Sequence, residues 1–293
     1  MNTLVFAALA LGLGAPRPHS APAPLKVGVT LHAYYSWVKS VAGDLPIDVL
    51  PILDAEVDAG SYTPRSEDVE KLKDLDAIVV NGIGHDDFIF PMIRASGNTK
   101  LRVLRPGDEL PLMRATNGGE VNAHSFISLS NAIQESLAIA RDLSELRPEL
   151  GPALRKNAEA YARRLRGLKS SLSARLAEAP QTRVVTVHDG YAYLLQELGL
   201  DLVAVLEPRH GVIPSPAELT QLGALLHKSG AEVVLVEPGF PAPLRELLEA
   251  SAGARLFPVS TLATGAYAAD AFERVMRANG DALVLALAPD RDS

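Results

Sequence analysis

From Leu25 onward, apolar runs of strand length alternate with segments of helical periodicity, and the alternation occurs twice, on either side of one long charged helix. In the first half LKVGVTL, IDVLPIL and DAIVVNGI read as strands, and HAYYSWVKSVAG and SEDVEKLKDL as the helices between them, with a further short strand in KLRVLRP. The second half repeats the rhythm: TRVVTVHD, DLVAVLE, AEVVLVEP and ARLFPVS are strand-like, separated by GYAYLLQELG, SPAELTQLGALLHKSG and PAPLRELLEASAG, and a last helix runs from about Asp270 to Leu287. A β-α-β-α-β order of fully apolar strands requires a parallel sheet with helices on its faces.

A helix from about Ser128 to Leu146 precedes the Arg147-Pro148 break, and a second runs from about Pro152 to Ala179. At the helical rise this second helix spans roughly 40 Å, enough to act as a stiff strut. The expected fold is therefore α/β, with two parallel-sheet lobes joined by one long rigid helix and a ligand cleft between them. The expected boundaries are a signal peptide and leader over 1–24, an N-terminal lobe over 25–147, the linking helix over 148–180 and a C-terminal lobe over 181–293.

Composition narrows the function. With 47% hydrophobic and 22% charged residues the chain is neither disordered nor a multi-span membrane protein. A net charge of −7 without a basic cluster argues against nucleic acid as a partner. The apolar run NTLVFAALALGLGA, followed by PRPHSAPAP, reads as a secretory signal peptide and a short leader, which places the protein outside the cytoplasm. There is no cysteine, so a metal here must be held by nitrogen and oxygen donors.

Chemistry-capable residues gather at strand and loop ends. His32 follows the first strand, His85 the third, His188 the first strand of the second half, and Glu237 ends AEVVLVE. His124 lies in the polar loop NGGEVNAHSF, and Ser260 ends ARLFPVS. In open α/β sheets ligands bind beyond the carboxyl ends of the strands, so convergence on one cleft is the expectation. His124, His188, His32 and Glu237 are the candidate metal ligands. Each has a structural alternative: a solvated loop for His124, a hydrogen-bonded strand end for His188 with Asp189 capping the next helix, an aromatic cluster with Tyr34, Tyr35 and Trp37 for His32, and a backbone-bonded turn for Glu237. His85 reads as a surface turn residue, His210 as a group near the cleft mouth, and His227 and His19 as solvated. No phosphate loop, nucleophile elbow, H-E-x-x-H or Rossmann glycine pattern is present.

The ordered set TLHAYYSW, DAGSYTPRSEDV, DAIVVNGIGHDDF, VNAHSF, the long helix, VVTVHDGYAYLLQELGL, EPRHGVIPSPAEL, VLVEPGFP and GAYAADAFERVMRAN resembles the zinc/manganese solute-binding proteins of ABC transporters, the cluster A-I metal-binding proteins. The resemblance runs from about Leu25 to Leu287. It implies two α/β lobes around a rigid helix, one divalent cation in the cleft, zinc first and manganese second, and delivery to a membrane permease by a monomer that is not an enzyme. Carried over by motif, His124 and His188 match two family ligands. Two further family positions are substituted here: the first ligand histidine falls on Gly60, and the late ligand falls near Ser260. The resemblance therefore implies either replacement ligands, His32 or Glu237, or a member of the fold that has lost tight metal binding and carries a chelate, an organic ligand or a protein partner. A metal-dependent hydrolase with Glu237 as general base is the remaining reading.

Overall fold

The structure, a computed structural model, describes residues 23–116, 119–179, 182–206 and 216–288. Strand β1 (Leu25–Val29), helix α1 (His32–Ala42), β2 (Ile47–Pro51), α2 (Ser66–Glu70), β3 (Ala77–Val79), α3 (Ile89–Ser96) and β4 (Arg102–Leu104) build the first lobe. Helices α4 (Leu129–Leu146) and α5 (Gly151–Leu176) follow. The second lobe comprises β5 (Arg183–Thr186), α6 (Ala192–Glu197), β6 (Asp201–Val205), α7 (Pro216–Ser229), β7 (Val233–Val236), α8 (Ala242–Ala252), β8 (Arg255–Pro258) and α9 (Ala271–Leu287).

Each lobe holds a four-stranded sheet, ordered β2-β1-β3-β4 in one and β6-β5-β7-β8 in the other, and every pairing is parallel. The central strands β3 and β7 are buried at every residue, as continuous apolar runs covered by helices on both faces should be. Edge strand β2 alternates buried and exposed residues and ends on Pro51, a residue an edge tolerates because its missing N–H is not needed there. In both sheets the chain leaves the first strand to one side and the third to the other. This strand-order reversal opens a crevice beyond the carboxyl ends of β1 and β3, and of β5 and β7.

The connecting helix α5 has 26 residues, so its axis is about 39 Å long. Pro152 in its first turn needs no hydrogen-bond partner for its nitrogen, which suits a helix that starts at Gly151. Its buried residues Leu154, Ala158, Tyr161, Ala162, Leu165, Leu168, Leu172 and Leu176 recur every three or four positions and form one apolar stripe. That stripe packs against α4, α1 and α9. Gly280 of α9 is needed at this contact, because a Cβ there would run into Leu172. One hydrophobic core runs from the first sheet through α4, α5 and α9 to β5 and β7, and a smaller one lies between β5, β6, β7 and the helices α7 and α8.

Local signals were right about element type and less accurate about length. SEDVEKLKDL is helical only over Ser66–Glu70, where Asp68 accepts from the backbone N–H of Arg65, and continues as turns. GYAYLLQELG enters its short helix through a 3-10 turn at Asp189–Tyr191. No helix among the described residues is long and apolar enough to cross a membrane. The expected signal-peptide core and His210 lie outside the described residues.

Candidate metal centre

Beyond the strand ends lies a cavity of about 440 Å³ whose lining includes Asp58, Gly60, His85, His124, His188 and Glu237. His124 and His188 meet edge to face with ring centroids 4.6 Å apart, and His85 meets His124 in the same way at 4.9 Å. At one end of this row Glu237 Oε1 lies 3.8 Å from His188 Nδ1, and at the other Asp58 Oδ1 lies 3.7 Å from His85 Nε2. Three imidazoles flanked by two carboxylates therefore cross the cleft. Among the described residues no three such donors are already drawn together tightly enough to hold an ion, so the rings must turn their nitrogens inward for one to bind.

His188 begins the 3-10 turn after β5 with extended backbone. Gly190 leaves room behind it: a Cβ would lie 2.7 Å from His188 Nδ1 and 2.8 Å from Thr261 Cγ2, so that one of these side chains would have to shift. The sequence HDG thus ends a buried strand by presenting an imidazole over a residue that has no side chain. Glu237 follows β7 directly; burial pushes its carboxyl pKa up, and hydrogen bonding by Thr261, whose backbone N lies 3.5 Å from Glu237 Oε2, pulls the other way. Tyr191 is itself fully buried and donates its phenol to the Val259 carbonyl at 2.6 Å.

His124 is held by its own loop. Its backbone N–H donates to Asn122 Oδ1 at 2.9 Å, and its Nδ1 lies 3.0 Å from the same oxygen. Asn122 cannot present its nitrogen instead, because Asn122 Nδ2 donates to the Asp189 carbonyl at 2.8 Å. The contact to an oxygen that can only accept places the proton on Nδ1 of His124. Asp189 does not serve as a simple helix cap. Its carboxylate accepts from Thr116 N at 2.8 Å and Thr116 Oγ1 at 2.6 Å, which clasps the His188 turn of one lobe to the His124 loop of the other.

His85 is brought to the cavity against the expectation of a surface turn. Asp86, fully buried, accepts from Thr30 Oγ1 at 2.5 Å, Asn81 N at 2.7 Å and Gly82 N at 2.9 Å. Gly82 and Gly84 take positive φ of 70° and 113°, and the loop after β3 folds tightly enough to put His85 at its tip. The available signal was topological: His85 follows the third strand of its lobe as Glu237 follows the third strand of the other.

His32 is not brought to the group. Its Nε2 donates to the carbonyls of Ala55 at 3.1 Å and Gly265 at 2.9 Å, and its ring stacks on Tyr267 at 4.1 Å with planes 6° apart. Only 4% exposed, it is kept neutral by burial, which lowers its pKa, and it ties the two lobes together away from the cavity. Ser260 also lies off the cavity wall, where its backbone bonds to Asn279; the neighbouring Thr261, Ala263 and Thr264 line the wall instead.

Residues 27–286 match the family described as ZnuA, zinc-uptake complex component A, periplasmic. Among solved structures, the solute-binding protein FpvC of Pseudomonas aeruginosa in complex with Ni2+ superposes with a TM-score of 0.83 at 38% identity, covering 90% of this chain and 97% of that one. FpvC in complex with Mn2+ gives 0.83 at 39% identity, covering 90% and 98%. The zinc-binding lipoprotein AdcA of Streptococcus pneumoniae serotype 4 is 26% identical over 248 residues, which are 80% of this chain and 49% of AdcA. The chain thus spans about half the length of the AdcA relatives it matches.

Proposed function

Because the chain belongs to the family of the zinc-uptake complex component A periplasmic proteins, we propose that it is an extracytoplasmic solute-binding protein that captures one divalent metal ion and hands it to an ABC transporter permease. Zinc is the first candidate, with manganese and nickel next. The observation that carries the reading is the meeting of His124 from one lobe with His188 from the other, rings 4.6 Å apart, with Glu237 3.8 Å from His188. Two neutral imidazoles and a carboxylate are a donor set suited to zinc and its neighbours in the divalent series.

An ion between these groups cross-links the lobes. The 26-residue strut and the Asp189 clasp limit how far the lobes can open, so capture proceeds by side-chain rotation and small loop movement rather than by a wide closure. Binding requires deprotonated donors and expels protons, so affinity falls as the pH drops below about 6. The metal content of protein purified without chelator, followed by zinc, manganese and nickel titration calorimetry of the stripped form, tests the reading. About one ion per chain is expected, with affinity lost in His124→Ala and His188→Ala. A stripped protein that takes up none of the three ions would instead make it a metal-free binding protein on the same fold.

A further inference from the structure

The Asp58–Gly60 turn and the His85 loop interlock. The Gly60 N–H donates to Asp58 Oδ1 at 2.9 Å, which fixes the carboxylate on the cavity wall. Where Gly60 lacks a side chain, the His85 ring fills the space: a Cβ on Gly60 would lie 2.9 Å from His85 Cε1 and 3.3 Å from Nδ1. A side chain at 60 and the His85 ring in its present place are mutually exclusive. The ring has a carboxylate 3.7 Å away on its Nε2 side and the His124 ring 4.9 Å away on its other flank. Its side chain is 10% exposed, and the loop that carries it is pinned through Asp86 to Thr30, the residue that follows β1 in the same sheet. Such a built position is not that of a solvated turn residue.

We infer that His85 is a direct metal ligand, supplying from the loop after β3 the third imidazole of the site in the room that Gly60 leaves open, with Asp58 as the carboxylate that orients its ring. The inference rests on the metal-capture reading and extends it: the coordination shell becomes His85, His124, His188 and Glu237, two donors from each lobe. The first ligand position has then moved to another loop rather than disappeared. Gly60 is a positioning residue, whose lack of a side chain leaves the space that the His85 ring fills.

The test is zinc titration of the full chain carrying His85→Leu, Gly60→Ala or, as a control, His188→Ala, together with zinc-edge X-ray absorption to count coordinated imidazoles. Wild type should show three. His85→Leu should lose affinity about 100-fold or more, beyond the roughly 10–100-fold that an outer partner costs, and its count should fall to two. Gly60→Ala keeps every donor but pushes the ring aside, and should weaken zinc by about 10-fold or more. If His85→Leu binds as wild type does while His188→Ala does not, His85 is no ligand and the capture reading survives. Wild-type protein that binds no zinc, manganese or nickel overturns both. Should His85→Leu fail to fold, the wild-type spectrum decides: three imidazoles support the assignment and two overturn it.

Discussion

His32 and His188 occupy equivalent places in two sheets of identical strand order, each just beyond the end of the lobe's first strand, and they meet opposite fates. His188 stands over Gly190 and faces the cavity. His32 opens a regular helix, spends its Nε2 on two carbonyls and lies flat against Tyr267. The difference teaches that a strand end supplies a position, whereas its neighbours decide a role. With glycine behind it an imidazole can tilt into the cleft; with a stacked phenol and two acceptors around it the same group becomes an interlobe rivet.

The largest break in this comparison is the pair of alanine substitutions. His188→Ala is expected to lower zinc affinity by about 100-fold or more while leaving the thermal midpoint of the metal-free protein nearly unchanged. His32→Ala should do the reverse: affinity within a few-fold of wild type, and a stability loss of about 1–3 kcal/mol from stranding two buried carbonyls. Calorimetry and thermal melts of both variants check this, and equal affinity losses would erase the distinction. Next in size is Gly190→Ala, which keeps every donor but displaces His188 and Thr261; affinity should drop about 10–100-fold, as when an outer partner of a ligand is lost.

The smallest effect sharpens the electrostatics of the second lobe. Burial raises the Glu237 pKa in the folded protein, so the folded state holds this proton more tightly than the unfolded state does, and metal-free stability falls as the pH rises through the window between the two pKa values. Glu237→Gln should therefore raise the metal-free melting temperature at pH 7, by no more than about 2 °C, and leave it unchanged near pH 3, where the carboxyl is protonated in both states. A rise of the same size at both pH values would mean that packing, not charge, is responsible. The same substitution should weaken metal binding at pH 7, because an amide is a poorer donor than a carboxylate.

Much of this was legible along the chain. Apolar runs such as VVLV and AIV announced buried parallel strands, and the motif matches of His124 and His188, with the place of Glu237 at a strand end, pointed to the cleft that all three line. The exchange of His32 for His85 at the cavity was not legible. His32 is withdrawn by Gly265, 233 residues away, and His85 is positioned by the bond of Asp86 to Thr30, 56 residues away. Neither partner is visible in a local window. The Asn122 amide that selects the His124 tautomer is likewise oriented by a carbonyl 67 residues distant.

By itself the sequence determined the two parallel sheets, the strut between them and the restriction of any metal site to imidazole and carboxylate donors, because periodicity and residue chemistry act over a few residues at a time. Only the tertiary structure decided which histidines share the cavity. That choice depends on where loop tips point and on what space their neighbours leave, and a missing side chain such as that of Gly60 acquires meaning only when another residue's ring is folded over it.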